Sequence, residues 1–163
     1  GDLCWSLTAV QVIGRASRAV AASGIAGSRP MFGGVCGRVP SRCCKPLVAG
    51  VRQRLRRIAV GEVAISAIVL AELRFGVRKS RRREQSAAAL ADFLRYCLVL
   101  DWPQEAVELY AETRAALERR GTPIGPNDLL IAAHALWLNA TLVTSNSDEF
   151  GRVEGLMIEN WRT

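Results

Sequence analysis

From Pro46 to the C-terminus, apolar positions recur with helical or strand spacing. In "PLVAGVRQRLRRI" they fall at 47, 48, 51, 55 and 58, the pattern of a basic amphipathic helix. "EVAIS" (62–66) reads as a short strand whose Ser66 can cap the next helix, "AIVLAELRFGVRK". A further helix is predicted over about 81–96, followed by "CLVL" (97–100), a strand of the buried type. Pro103 opens a helix to about Arg120, with Gly121 as its stop, and Pro126 opens another. "ATLVT" (140–144) and "LMIENW" (156–161) close the series as strands. Strands alternating with helices predict an α/β fold, a mainly parallel central sheet flanked by helices.

The preceding stretch has no such order. Residues 1–45 are rich in Gly, Ser, Arg, Ala and Cys, with a candidate strand at 7–13 and a candidate short helix at 14–23. Two segments follow: an atypical basic one at 1–45, and a globular domain at 46–163.

Two carboxylates sit where the chain is otherwise apolar. Asp128 stands at the mouth of a nearly unbroken apolar run from Leu129 to Leu138. Glu72 has Ile68, Val69, Phe75 and Gly76 as its helical neighbours, which places it with the apolar side. A buried carboxylate must be protonated, paired or bound to a cation. Plainer accounts exist for both: a buried ion pair or exposed rim for Glu72, and the favourable helix macrodipole for Asp128. A third group, Asn146, Asp148 and Glu149, follows the strand "TLVT". Parallel sheets gather ligands beyond the carboxyl ends of their strands, where all three groups could converge. Asp and Glu oxygens without His or Cys partners suit Mg²⁺ or Mn²⁺, and such ions assist phosphodiester hydrolysis. The single histidine, His134, lies six residues past Asp128 and faces another way.

Charge sharpens this picture. The net charge is +7, and residues 1–60 hold ten basic residues against one acid, Asp2. Basic proteins attract polyanions, although a solubilising tail has the same composition. Arg52, Arg54, Arg56, Arg57 and the run Arg81–Arg83 could meet RNA phosphates, or remain solvated. Five cysteines without paired metal spacing read as reduced thiols. No apolar run reaches the roughly 18 residues that would cross a bilayer, and no secretory signal is evident, so a cytoplasmic location is expected.

The segments "VAISAIVLAELRFGVRKS", "GTPIGPNDLLIAAHAL" and "ATLVTSNSDEFGRVEGLMIENW" resemble the PIN-domain ribonucleases, specifically the VapC-type toxins of toxin–antitoxin pairs. The resemblance implies a Mg²⁺- or Mn²⁺-dependent endoribonuclease that dimerises and is silenced by a cognate antitoxin. It implies Glu72 and Asp128 as metal-binding catalytic acids, Asn146 or Asp148 as the last acidic position, and Thr144 as the hydroxyl beside it. From the basic run Arg81–Arg83, and not from the resemblance, Arg81 and Arg82 are the expected substrate contacts, with solvated charge as the plainer account. One part of the pattern is absent. The family opens with an apolar strand ending in Asp-Thr-Asn, and here no Asp or Glu occurs between Asp2 and Glu62. A shifted reading frame or displaced start over residues 1–45 would produce this, and the upstream DNA tests it. A chain folding as written would lack its central strand unless residues 7–13 stand in. It is expected to bind Mg²⁺ weakly and to cleave little. The alternative function is an inactive PIN remnant that binds antitoxin or RNA without cleaving.

Overall fold

A computed structural model describes residues 12–14, 54, 57, 58 and 62–161. Five short strands form one sheet: β1 (Val12–Gly14), β2 (Val63–Ser66), β3 (Leu98–Leu100), β4 (Thr141–Val143) and β5 (Ile158–Glu159), in the order β3-β2-β1-β4-β5. β2 pairs parallel with β3, and β4 with β5. β1 lies between the two pairs and runs antiparallel to both β2 and β4. Four strands therefore share one direction, as expected of an α/β fold, and the central one opposes them.

Residues 12–14 take the middle place that the sequence left in question. Their backbone pairs with all of β4 and with Val63 and Ala64 of β2, which covers the inner edge of one strand and half that of the other. Because β1 is reversed, its first residue, Val12, pairs with Val143 at the carboxyl end of β4. Gly14 pairs with Val63 and Thr141 at the opposite rim. The rest of the candidate strand at 7–13, the helix at 14–23 and most of the helix at 46–58 lie outside the described residues. Of that last helix, Arg54 is helical and a turn follows at Arg57.

The helices begin and end where their caps lie. In α1 (Ala67–Lys79), the Ser66 hydroxyl accepts from Ile68 N–H at 3.3 Å. After α2 (Arg83–Leu94) and β3, a 3₁₀ turn (Gln104–Ala106) leads into α3 (Val107–Arg119). Gly121, at φ +67°, ends α3: its N–H donates to Glu118 O at 3.0 Å and Thr122 N–H donates to Leu117 O at 3.0 Å. These two bonds satisfy the orphan carbonyls of the last turn. Asn139 ends α4 (Pro126–Trp137) in the same way at φ 47°, with Ala140 N–H donating to Ala135 O at 3.0 Å. The chain then enters β4 directly. A short α5 (Ser147–Phe150) follows β4.

The apolar run of α4 is core. Leu129, Ile131, Ala132 and Ala135 are buried with Ile65, Val69, Leu142 and Phe150, and α4's alanines let the helix approach its neighbours closely. The Trp102 indole N–H donates to Leu130 O at 3.0 Å and ties the chain before α3 to α4. β3 departs from expectation. It is an edge strand, with Leu98 40% and Val99 44% exposed. Four apolar residues in a row fit an edge as well as a sheet interior, and only the strand order separates them. Among the described residues no helix is long and apolar enough to cross a membrane.

α5 closes on itself by a close approach of its own backbone. A Cβ added at Gly151 would stand 2.7 Å from the backbone oxygen of Ser147, which cannot swing away. Gly151→Ala is expected to lower stability by about 1–3 kcal/mol, read from urea melts. An unchanged midpoint would show that the turn relaxes freely.

Candidate active site at the carboxyl rim of the sheet

Where the parallel strands end, three segments meet. α1 leaves the end of β2, α4 begins at Pro126, and β4 runs into Thr144, Asn146 and α5. Glu72 Oε1 accepts from Asn127 Nδ2 at 2.8 Å, which ties α1 to the first turn of α4. Asp128, the next residue, is half-buried in that turn. Its Oδ2 would lie 3.5 Å from a Cβ on Gly125. Gly125 N–H in turn donates to Glu149 Oε2 at 3.4 Å. The start of α4 thus has Asp128 and Glu149 carboxylates about one residue, Gly125, and Glu72 on the neighbouring Asn127.

Beside them, Thr144 is 2% exposed, and its Oγ1 accepts from Asn146 N–H at 3.0 Å. Thr144 N–H donates to Glu159 O at 2.9 Å, so the residue is held through its backbone as well as its hydroxyl. It shapes the turn that carries Asn146, which is half-buried. Asp148 is exposed, and among the described residues it makes no hydrogen bond or ion pair. Within "SNSDEF", Glu149 is the acid that reaches α4. The sequence offered both, and the one-turn helix α5 decides which of two adjacent carboxylates turns inward.

Glu72 is corrected in one respect. It is exposed, not buried with the apolar side. The buried stripe of α1 is Val69 and Leu73, while Phe75, counted as core from the spacing, is 59% exposed. Glu72 therefore needs no compensating partner for burial. Arg81 and Arg82 are exposed on the link between α1 and α2. Arg54 is engaged elsewhere: Nη1 lies 3.5 Å from Glu159 Oε2, and its guanidinium sits 6.0 Å from the Trp161 ring centroid.

His134 faces the core, as its place six residues beyond Asp128 implies. It is 0% exposed, its ring 6.1 Å from that of Trp137, and among the described residues neither ring nitrogen has a hydrogen-bond partner. Burial pushes it down to about 4, so it is neutral and plays no part at the rim. Cys97 is a free thiol, pushed up to about 12 by burial and not available as a thiolate.

The donors at the rim are all oxygens, which suits a hard cation such as Mg²⁺ in kind. They fall short in number. Among the described residues no three His, Cys, Asp or Glu side chains gather closely enough to hold a metal ion.

The sequence profile of the PIN domain matches residues 45–156. The chain is a PIN-domain protein of the VapC type. It is 50% identical over 99 residues to ribonuclease VapC2 of Rickettsia felis, spanning 61% of this chain and 74% of that protein. It is 39% identical over 113 residues to the tRNA(fMet)-specific endonuclease VapC of Shigella flexneri, spanning 69% and 85%. The DNA-bound VapBC complex of Salmonella typhimurium superposes with a TM-score of 0.64 at 38% identity, over 69% of this chain and 84% of that one. The match starts at residue 45, where the composition changes, and takes in Glu72, Asp128, Thr144 and Asn146 of the VapC-type domain.

Proposed function

We propose that this chain is a toxin-type endoribonuclease that hydrolyses RNA phosphodiester bonds with the help of Mg²⁺ or Mn²⁺ and is neutralised by a cognate antitoxin. The observation that carries the reading is the approach of Asp128 and Glu149 to Gly125 at the start of α4, with Glu72 hydrogen-bonded to the neighbouring Asn127. Clustered carboxylates repel one another and repel an approaching phosphate. A divalent cation held by fewer than three of them would ease both costs, so RNA and a metal ion belong to one reading of this rim. Asn146 and Thr144 shape its far wall, and Arg81 and Arg82 supply positive charge for the RNA backbone. The likeness to VapC ribonucleases, and to VapBC complexes, supports the substrate class and the antitoxin. Pairing of two copies is expected from the same kinship and is read by light scattering.

A second reading has its own support. With no three-carboxylate group among the described residues and a reversed β1 in the middle of the sheet, the chain would bind RNA or antitoxin without cutting. One experiment separates the two. Labelled RNA is incubated with the purified chain with and without Mg²⁺, and binding is followed beside cleavage. Slow, Mg²⁺-dependent cleavage that EDTA stops supports the nuclease. Binding with no cleavage at millimolar Mg²⁺ or Mn²⁺ supports the second reading.

A further inference from the structure

Phe75 is the most exposed large apolar side chain among the described residues, at 59%. It does not stand at random. Residues three and seven places beyond Glu72 on α1 lie within about 60° of it around the helix, so Glu72, Phe75 and Lys79 form one strip. Phe75 stands about 4.5 Å and Lys79 about 10 Å along the axis from Glu72. Lys79 Nζ lies 5.2 Å from the Phe75 ring centroid, within the range at which a cation holds to an aromatic face. The ring keeps its exposure with that ammonium in place.

The surroundings are strongly basic. From Arg74 to Arg83 there are six cations, Arg74, Arg78, Lys79, Arg81, Arg82 and Arg83, and no acid. Among the described residues none of the six joins an ion pair. The link that displays three of them is braced. Ser80 Oγ accepts from Arg82 N–H at 3.1 Å and from the Ser86 hydroxyl at 2.8 Å, and Arg83 Nη2 donates to Arg78 O at 3.1 Å. Positive charge outside any ion pair, on a braced link beside an exposed aromatic ring, matches the two requirements of single-stranded nucleic acid: a cationic track for phosphates and a flat apolar face for a base. A protein partner would need some of these six charges answered by acids of its own, whereas an RNA strand answers them with every phosphate.

We propose that the strip from Glu72 through Phe75 to Lys79 docks single-stranded RNA, with the Phe75 ring stacking on a base next to the nucleotide at the rim and Lys79 meeting its phosphate. The proposal rests on the reading of the chain as acting on RNA. Phe75 has no hydrogen-bonding group, so the contact fixes the position of the strand and discriminates little between bases.

The test uses the full chain and a fluorescein-labelled single-stranded RNA of mixed sequence, in EDTA so that cleavage does not intervene. Anisotropy gives the affinity over a range of salt for the unaltered chain, Phe75→Ala, Phe75→Leu, Phe75→Trp and Lys79→Ala. Phe75 is at the surface, so equal melting temperatures are expected throughout. Phe75→Ala is expected to weaken binding 5- to 100-fold, about the span for loss of one stacked base. Phe75→Leu should weaken it comparably, because apolar area without a ring does not stack, and Phe75→Trp should restore it. Lys79→Ala should lower the salt slope by about 0.7, the contribution of one phosphate contact. If Phe75→Ala or Phe75→Leu binds RNA as the unaltered chain does, the proposal is overturned. It is overturned too if Phe75→Ala loses affinity only for an antitoxin, which would make the strip a protein-docking face. Phe75-dependent binding by a chain that never cleaves leaves this proposal standing and removes the nuclease reading. Cleavage that is indifferent to Phe75 does the reverse.

Discussion

Asp128→Asn is expected to lower RNA cleavage by about 10²-fold or more, the scale for removing one group that stabilises charge at a reacting phosphate. Initial rates on labelled RNA measure it. Asparagine keeps the size of the side chain and can still accept a hydrogen bond at the start of α4, so the fold should hold. Loss of a negative charge from a first helical turn costs about 0.3–1 kcal/mol, and relief of repulsion from Glu149 across Gly125 works against that cost. Stability is therefore expected to change by no more than about 1 kcal/mol. RNA affinity in EDTA should stay level or rise, because one repelling carboxylate has gone. Asp148→Asn is the matched control. That carboxylate points to solvent, and its removal should leave the rate within about twofold, since surface charges away from a site contribute little. The reverse ranking, with Asp148→Asn unable to cleave RNA and Asp128→Asn as active as the unaltered chain, would move the site away from the mouth of α4.

Much of this site was legible in the residues. Pro126 at the start of α4 and Ser66 ahead of α1 mark helix starts by chemistry that needs no tertiary context, and both hold in the fold. Once those starts are placed, Asp128 falls in a first turn and the segment after β4 falls at the same rim. Other features needed the third dimension. Spacing put Glu72 with Phe75 on a buried face, yet only Val69 and Leu73 of α1 are buried, because how wide a stripe a helix buries is set by its neighbours and not by its own residues. Burial of β3 could not be read from "CLVL", since an edge strand and a central one differ in their neighbours and not in their own residues. The direction of β1 was equally hidden: three residues carry no mark of polarity, and pairing with β2 and β4 decides it. Sequence reasoning set Glu149 beside Asn146 and Asp148, and the short helix α5 that turns it toward α4 is visible only in the fold.

The stability of the chain is expected to fall as pH drops below 6.5, and His134 is the group that makes it fall. Its imidazole is fully buried, burial pushes it from 6.5 down to about 4, and among the described residues neither nitrogen has a partner. An unfolded chain takes up the proton near 6.5, while the folded chain resists until about 4. Between those values the unfolded state binds more protons, so stability is fully present above 6.5 and is lost as pH falls toward 4. The loss is about 2 kcal/mol at pH 5 and about 3 kcal/mol at pH 4, after which this contribution levels off. Urea melts at a series of pH values give the curve, and His134→Leu isolates the histidine from carboxylates that titrate lower down. Leucine brings no proton and no unpaired nitrogen into the core, so the variant should match or exceed the unaltered chain by about 1 kcal/mol at pH 7.5. Its advantage should then widen as the pH is lowered to 5. Parallel curves for the two proteins would mean that water or an undescribed neighbour reaches the ring and keeps it near its ordinary value.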